Sequence, residues 1–375
     1  MSPTKVIAEI DGLGEKTVKK LIWNARNALG MTDFITASEI DENVEYITTG
    51  SSELDRILGG GVHTGKLTEV YGPFKSGKTN LSHTIAVTTQ LPKRRGGLDG
   101  AVAFLDTENT FSKEKIIRIA KRFGLNPKEV LSKIYTVRLY SSDHQVQMVL
   151  KSETLCKTRG VRLIIVDSLM ALLRNEYIGI GLLARRQGVL NNLIHALSRI
   201  AETHNCAVLL TNQVATKMMG MFSGNDAIGG NIVAHGCHFR VMFKTKGFSS
   251  NNSLKRRGII VDAPDLPPEE CEFYITAAGI ADTDKVDMPD TPLNASIKIE
   301  KIEVEDLFED EGSTDLPVVR VQGIADGMAK KLKSQGISTV SDLVSADSKD
   351  LSGKIAGVSE TMVNKWKKSA KALAT

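Results

Sequence analysis

The sequence predicts an α/β protein, a core with a mainly parallel sheet built around one glycine-rich loop and flanked by small all-α elements. Three observations predict it. Strand-like apolar runs at 67–71, 101–106, 134–139, 162–167 and 206–212 alternate with helical segments, the pattern of parallel strands joined by crossover helices. The first of these runs leads into Gly72-Pro73-Phe74-Lys75-Ser76-Gly77-Lys78-Thr79, and a helix-like run follows from Asn80 to Thr89. Finally, Ile10-Asp11-Gly12-Leu13-Gly14-Glu15 and Ile355-Ala356-Gly357-Val358-Ser359-Glu360 repeat one glycine-hydrophobic turn, each leading into a helical run, outside the core.

Composition sets the bounds. A chain of 375 residues with 41% hydrophobic and 25% charged residues suits two or three globular domains. It has no long uncharged apolar run, so no transmembrane helix is expected. The start, MSPTKVIAEIDG, lacks the basic-then-apolar order of a signal peptide. Four scattered cysteines without a CxxC pair favour reduced thiols in a cytoplasmic compartment over structural zinc. A net charge of +4 permits nucleic-acid binding without demanding it.

Along the chain, residues 1–30 read as helix, turn, helix, either a partial helix-hairpin-helix element that offers backbone N–H groups to DNA phosphate or an ordinary αα-turn. The linker 31–43 carries Phe34 and Ala37 in a polar setting. It is either a strand that adds to another subunit with Phe34 as anchor, or a segment that packs at home. The core is expected over 44–298, an acidic linker over 299–315 and a complete C-terminal helix-hairpin-helix domain over 316–375. The linker stretch Glu300–Glu311 is either solvated or a tether that docks on a basic surface.

The chemistry gathers at strand ends. Gly72 to Thr79 fits the phosphate-binding loop G-x-x-x-x-G-K-[ST], in which glycines let backbone N–H groups surround phosphate oxygens. Lys78 brings charge to the terminal phosphates and Thr79 a hydroxyl to Mg²⁺. The run Val161–Asp167 delivers Asp167 beside Thr79, as a metal carboxylate or as a helix cap. Glu108 is the best candidate for activating water, with Asp106 as runner-up. Gln213 can sense a phosphate without the cost of burying a charge. Two glycine-containing loops are expected at 174–187, with Arg174, Arg185 and Arg186, and at 214–231, with Lys217, Gly229 and Gly230. They suit single-stranded DNA, a surface role, or a lid over nucleotide.

Together these stretches resemble the archaeal RadA and eukaryotic branch of the RecA family of recombinases. The resemblance rests on FITASE, on ITTGSSELDRILGGGVHTGKLTEVYG before the loop, and on HTIAVTTQLP, LDTENTF, LIIVDS, LLTNQV, IGGNIVAH and VDAPDLPPEE. It implies a RecA-type P-loop ATPase core that uses ATP and Mg²⁺, self-associates into helical filaments or rings, and pairs single-stranded with duplex DNA, possible partners including recombinase mediators. By motif, Gly72 to Thr79 would hold phosphate, Thr79 and Asp167 the metal, and Glu108, Lys78 and Gln213 the chemistry. Lys115 would lie near adenine. Asp262 through Pro267 would cap ATP from the neighbouring subunit, Phe34 and Ala37 would form the polymerisation motif, and the two loops would bind DNA. The expected location is cytoplasmic and nucleoid-associated.

The chain departs from the family pattern. Its N-terminal hairpin element is half the usual length and a complete one sits at the C-terminus. Ile180 stands at a position usually held by Arg, Asn109 where Gly is common, and Lys115 where Arg is usual. The second loop is shorter than in the eukaryotic relatives. A non-catalytic paralogue that binds ATP and modulates filament assembly is the alternative reading. A hexameric helicase-like motor finds no support in the polymerisation motif.

Overall fold

The computed structural model describes residues 14–28, 34, 36–39, 43–216, 225–245, 254–286, 318, 321, 324, 326–355 and 358–371. The expected hairpin turn at Asp11–Leu13, Lys217 and the acidic linker lie outside them. The chain divides into two compact units, Met1–Asn294 and Ala295–Thr375.

The first unit carries a small two-stranded sheet of β1 (Tyr46–Ile47) and β2 (Val62–His63), separated by helix α2 (Ser52–Ile57), and is built on one ten-stranded sheet. Strands β3 (Leu67–Gly72), β4 (Ala101–Asp106), β5 (Ile134–Arg138), β6 (Val161–Asp167) and β7 (Ala207–Thr216) correspond to the five apolar runs. With β9 (Phe239–Thr245) they run parallel in the order β9-β3-β7-β6-β4-β5. All of β3 and β4 is buried, as expected of strands covered on both faces. Successive side chains serve opposite layers. Phe104, Ile165 and Leu209 join one core with Leu81 and Ile85 of α3 (Lys78–Thr88) and Ile116 of α4 (Lys113–Arg122). Ala103, Leu105, Ile164 and Leu210 join the other, with Val149 of α6 (Ser142–Arg159) and Leu190 and Leu193 of α8 (Leu183–His204).

Local signals fix the crossovers. Ser112 and Ser141 cap α4 and α6 by accepting from Lys115 N and His144 N. Asn126 does the same for α5 (Pro127–Ser132), where Pro127 sits in the first turn, and Gly160, at φ 62°, ends α6. These caps connect strands by short, directed turns.

The mainly parallel sheet is longer than the five runs implied, and two loop expectations need correction. The sheet continues past the parallel strands through β10 (Lys255–Asp262), β11 (Glu270–Thr276) and β12 (Gly279–Ala281), an antiparallel extension. These strands alternate buried and half-buried positions, whereas the core strands are buried almost throughout. The region 174–187 is mostly helical: α7 (Ala171–Glu176), a 3₁₀ turn at Ile180–Leu182, and then α8. Glycines at 179 and 181 suggested a longer loop, but only 177–179 lie between the helices. The region 214–231 also begins and ends in structure, because β7 continues to Thr216 and pairs with β8 (Asn225–Ala227), and α9 (Asn231–Gly236) follows.

Elsewhere in the first unit, α1 (Glu15–Ala28) carries an i,i+4 pair between Glu15 and Lys19, and Val18 is buried. The second unit holds α10 (Asp326–Lys333), α11 (Val340–Ser345), α12 (Ser348–Lys354) and α13 (Glu360–Lys371). They share a separate core that includes Leu332, Leu343, Leu351, Val363 and Trp366. Thr339 and Asp342 form a reciprocal capping box at the start of α11.

Candidate nucleotide site at the carboxyl edge of the sheet

The carboxyl ends of β3, β7, β6 and β4 are neighbours, and they carry Gly72, Gln213, Asp167 and Asp106. Gly72 admits no side chain, since a Cβ there would lie 2.2 Å from Phe243 O. Gly77, at φ 108°, would meet Ile275 Cδ1 at 2.7 Å. The loop between them turns sharply, with Lys75 at φ 61° and Ser76 N donating to Pro73 O at 3.2 Å. No side chain caps α3 behind it. The first-turn N–H groups of this eleven-residue helix therefore point to a ligand of opposite charge.

Lys78 Nζ donates to Gly72 O at 2.9 Å and Pro73 O at 3.0 Å, folding back on its own loop. Burial draws its pKa down, while the charges of Asp167 and Glu108 oppose that shift. Ser76 Oγ is buried without a partner. Phe74 stands 85% exposed at the tip.

Asp167 ends β6 and is 2% exposed. Thr211 Oγ1 donates to its Oδ1, whereas Oδ2 is buried with no partner. Burial raises its pKa; the hydroxyls of Thr211 and Thr79 oppose this, and the carboxylates of Glu108 and Asp106 add to it. Helix α7 starts at Ala171 after Met170, so Asp167 caps no helix. An orphaned carboxylate oxygen beside a threonine hydroxyl fits a cation. Among the described residues no three His, Cys, Asp or Glu side chains converge on one point. This suits Mg²⁺, which is held by one or two protein ligands together with substrate phosphates. ATP with Mg²⁺ thus fits the residues present, with Thr79 and Asp167 on the metal and Gly72 to Thr79 on the phosphates.

Glu108 follows β4 at the exposed rim. Ser168 Oγ donates to its Oε1 at 2.7 Å and Gln213 Nε2 donates to the same oxygen at 3.0 Å. Asp106, the runner-up for activating water, is committed elsewhere. Its carboxylate accepts from the backbone N–H groups of Glu108 (3.0 Å), Thr110 (3.1 Å) and Phe111 (3.0 Å). Arg138 lies 3.6 Å away. Asp106 therefore shapes the turn that carries Glu108. Asn109 in that turn has φ 60°, a left-handed conformation that favours Gly and tolerates Asn.

Sequence reasoning missed several residues of the site, among them His83, Ser168 and Thr211. His83 is buried in α3; its Nδ1 bonds Thr79 O at 2.7 Å and its Nε2 accepts from Ser112 N at 2.9 Å. That pairing sets the neutral Nδ1–H tautomer, and burial lowers the pKa against the opposing Thr79 bond. One imidazole thus ties the helix of the phosphate loop to the turn after β4. A histidine one turn after Thr79 in the helix-like run Asn80–Thr89 was the available signal.

The other candidates fall in three places. Lys115 Nζ donates to Asn80 Oδ1 near the start of α3, and burial lowers its pKa. Asp262 and Pro267 are exposed at the opposite edge of the sheet. Strand β10 runs antiparallel to β9, so Asp262 is level with Arg240 while Arg256, near the other end, reaches Lys75 O at 3.1 Å. Within one chain, Asp262–Pro267 and the phosphate loop are therefore at opposite ends of β10. Phe34 is 105% exposed, with Ala37 exposed beside it in a short turn held by Thr36 and Glu39.

Arg174 is exposed on α7, and Arg185 and Arg186 lie in the first turn of α8. Arg185 lies 5.9 Å from the Tyr177 ring, and Arg186 Nε is buried without a partner. Ile178 and Ile180 are exposed between these helices. Gly229 is buried, with Val233 and Leu190 against the space a Cβ would need, and Gly230 is exposed with φ 61°. No described helix is long and apolar enough to cross a membrane.

A parallel sheet with a phosphate loop after β3, an orphaned carboxylate after β6 and a bridged Glu–Gln pair at the rim defines a RecA-type P-loop ATPase fold. The family model described as Rad51 matches residues 41–283, and the chain belongs to that family. A second model, a SAM-like helix-hairpin-helix tandem, matches residues 316–372. Among curated relatives, the "DNA repair and recombination protein RadA" of Cenarchaeum symbiosum (strain A) is 40% identical over 288 residues, 74% of this chain and 71% of that protein. Members of this family are DNA-dependent ATPases that use ATP and Mg²⁺.

Proposed function

We propose that this chain is an ATP-dependent recombinase of DNA repair, forming filaments on single-stranded DNA and exchanging strands with a homologous duplex. The observation that carries the reading is the 3.0 Å bond between Gln213 and Glu108. It joins the candidate hydrolytic carboxylate to the first residue of a hairpin that leaves the sheet, so hydrolysis and a DNA-facing loop have a common pivot.

In this reading the backbone N–H groups of the phosphate loop and Lys78 bind the triphosphate. Lys78 exchanges its two loop carbonyls for phosphate oxygens. Thr79 and Asp167 would hold Mg²⁺, which would supply positive charge beside the phosphates. Glu108 orients a water and accepts its proton, with Ser168 fixing the carboxylate. Gln213 leaves Glu108 when a terminal phosphate offers a better acceptor. The opposite positions of Asp262–Pro267 and the phosphate loop support a cap supplied by a neighbouring subunit, and the exposed Phe34 supports its role as an anchor between subunits. Arg174, Arg185, Arg186, Lys217, Gly229 and Gly230 would contact DNA. The C-terminal hairpin domain would capture duplex, so removing 312–375 should impair duplex capture and spare the ATPase.

The accessory-paralogue alternative is not favoured, because Lys78, Thr79, Glu108, Asp167 and Gln213 are all present at one sheet edge. Strand exchange between a circular single strand and a homologous linear duplex tests the proposal. Joint molecules that require ATP and disappear in Lys78→Ala support it. ATP binding without joint molecules in the parent chain overturns it in favour of the alternative.

A further inference from the structure

Asn212 stands one residue before Gln213, and its side chain points to the other face of the sheet. Residues 209 and 211 of β7 serve the layer of α3, whereas 208 and 210 serve the layer of α8. Asn212 belongs to the second set and is completely buried. Its amide is fully used. Nδ2 donates to Glu69 Oε1 at 2.8 Å and to Ile228 O at 2.5 Å, and Oδ1 accepts from Gln213 N at 2.8 Å.

Both ends of this arrangement are anchored. Glu69 is 0% exposed on β3, and Arg240 of β9 donates from Nε to its Oε2 at 2.8 Å. Ile228 follows β8, and its N–H returns to Gln213 O at 3.0 Å. Asn212 and Gln213 thus pinch together the two strands at the base of the β7–β8 hairpin. A buried ion pair is seldom retained for stability alone, since hydrophobic replacements often do as well. Here it gives one amide a fixed acceptor, and so a fixed orientation.

We infer that Asn212, held by the Glu69–Arg240 pair, is the positioning residue that makes the β7–β8 hairpin follow Gln213. Gln213 has two alternative partners on the nucleotide face, Glu108 and a terminal phosphate, and any shift of its backbone is passed by its N–H to the Asn212 amide. The amide passes it to Ile228 O and hence to the strand returning from the loop. Without the Asn212 bond to Ile228 O, the returning strand keeps only its backbone bond from Ile228 N to Gln213 O, and its response to nucleotide drops well below the parent's. The inference rests on the nucleotide role proposed above for Gln213. It does not require strand exchange.

Hydrogen exchange of the 225–228 amides tests it in the full-length chain, with Mg²⁺ and a non-hydrolysable ATP analogue and no DNA. The parent should change its exchange rate at Ile228 by about ten-fold on binding the analogue, the scale of an ordinary coupling. Asn212→Asp keeps the shape but removes both donors. It should lose that response while binding the analogue within about two-fold of the parent, since the altered group is on the far face.

Asn212→Asp also sets a carboxylate against Glu69 and can lower stability. The exchange Glu69→Gln with Asn212→Asp restores that contact with donor and acceptor reversed, and leaves Ile228 O without its donor. This double variant should regain part of the thermal stability lost in Asn212→Asp and still lack the exchange response. A response retained in Asn212→Asp, or restored in the double variant, overturns the inference. So does a parent in which the analogue leaves the hairpin unchanged. A parent whose hairpin responds to the analogue but forms no joint molecules overturns the recombinase reading and leaves the role of Asn212 standing.

Discussion

Gln213 Nε2 and Ser168 Oγ donate to one and the same oxygen of Glu108, at 3.0 Å and 2.7 Å. Two donors from the ends of β7 and β6 thus hold a carboxylate that belongs to the loop after β4. Glu108→Gln should preserve ATP affinity and lower the ATPase rate by about two to four orders of magnitude, the usual range for a lost general base. Steady-state hydrolysis alongside nucleotide binding checks this. An ATPase rate within a few-fold of the parent would remove Glu108 from the role proposed for it.

Asp167 bears a cost in the nucleotide-free chain. Burial raises its pKa above the ordinary value of about 3.9 for Asp. The folded protein therefore holds the proton more tightly than the unfolded chain, and stability falls as pH rises from about 4 towards the raised value. Asp167→Asn should be more stable than the parent at neutral pH by about 1–3 kcal/mol, the scale of an uncompensated buried polar group. The gain should vanish below about pH 4, where the parent also is protonated. The variant should lose Mg²⁺-dependent stabilisation by ATP. Thermal melts across pH, with and without Mg²⁺ and ATP, read all three.

His83 shifts the other way. Burial lowers its pKa, so the folded chain resists protonation of an imidazole whose Nε2 accepts from Ser112 N. Its contribution is complete above the unfolded value of about 6.5 and is lost as pH falls below that. The slope contributed by this one proton is at most about 1.4 kcal/mol per pH unit. His83→Gln can donate and accept along the same line and should flatten that part of the profile. Urea unfolding of both proteins between pH 5 and 7.5 should show the difference; parallel profiles would mean that His83 does not carry it.

Phe34 is 105% exposed and packs against none of the described residues. Phe34→Glu should leave the melting temperature of the isolated chain unchanged and weaken self-association by about thirty-fold or more, as for a lost aromatic anchor. Light scattering across a concentration series distinguishes this from an incidental surface residue, for which both quantities stay the same.

How much of this was legible beforehand depended on range. The five parallel strands and the phosphate loop were readable because their signals are local: continuous apolar runs, fixed glycine spacing and capping residues at the crossovers. Asn109 was visible as a departure from the family pattern, but its φ of 60° was needed to show what that position demands. The expected loops at 174–187 and 214–231 were too long, because glycine marks a possible turn while pairing and packing decide where it occurs. Nothing adjacent to β9 through β12 announces an extension of the sheet, since their partners are distant in sequence.

By itself the sequence determined which residues are candidates for nucleotide chemistry, and which strand end each one follows. Lys78, Thr79, Glu108, Asp167 and Gln213 were all named from motif and strand pattern. Only the tertiary structure decided what each group touches. It committed Asp106 to three backbone N–H groups, left Asp167 Oδ2 without a partner and brought Gln213 to Glu108. It also joined Glu69, Asn212 and Arg240 from three strands into one buried cluster. The physical reason is that strand patterning is a property of neighbouring residues, whereas a hydrogen bond across a sheet depends on strand order and register, which the whole chain sets together.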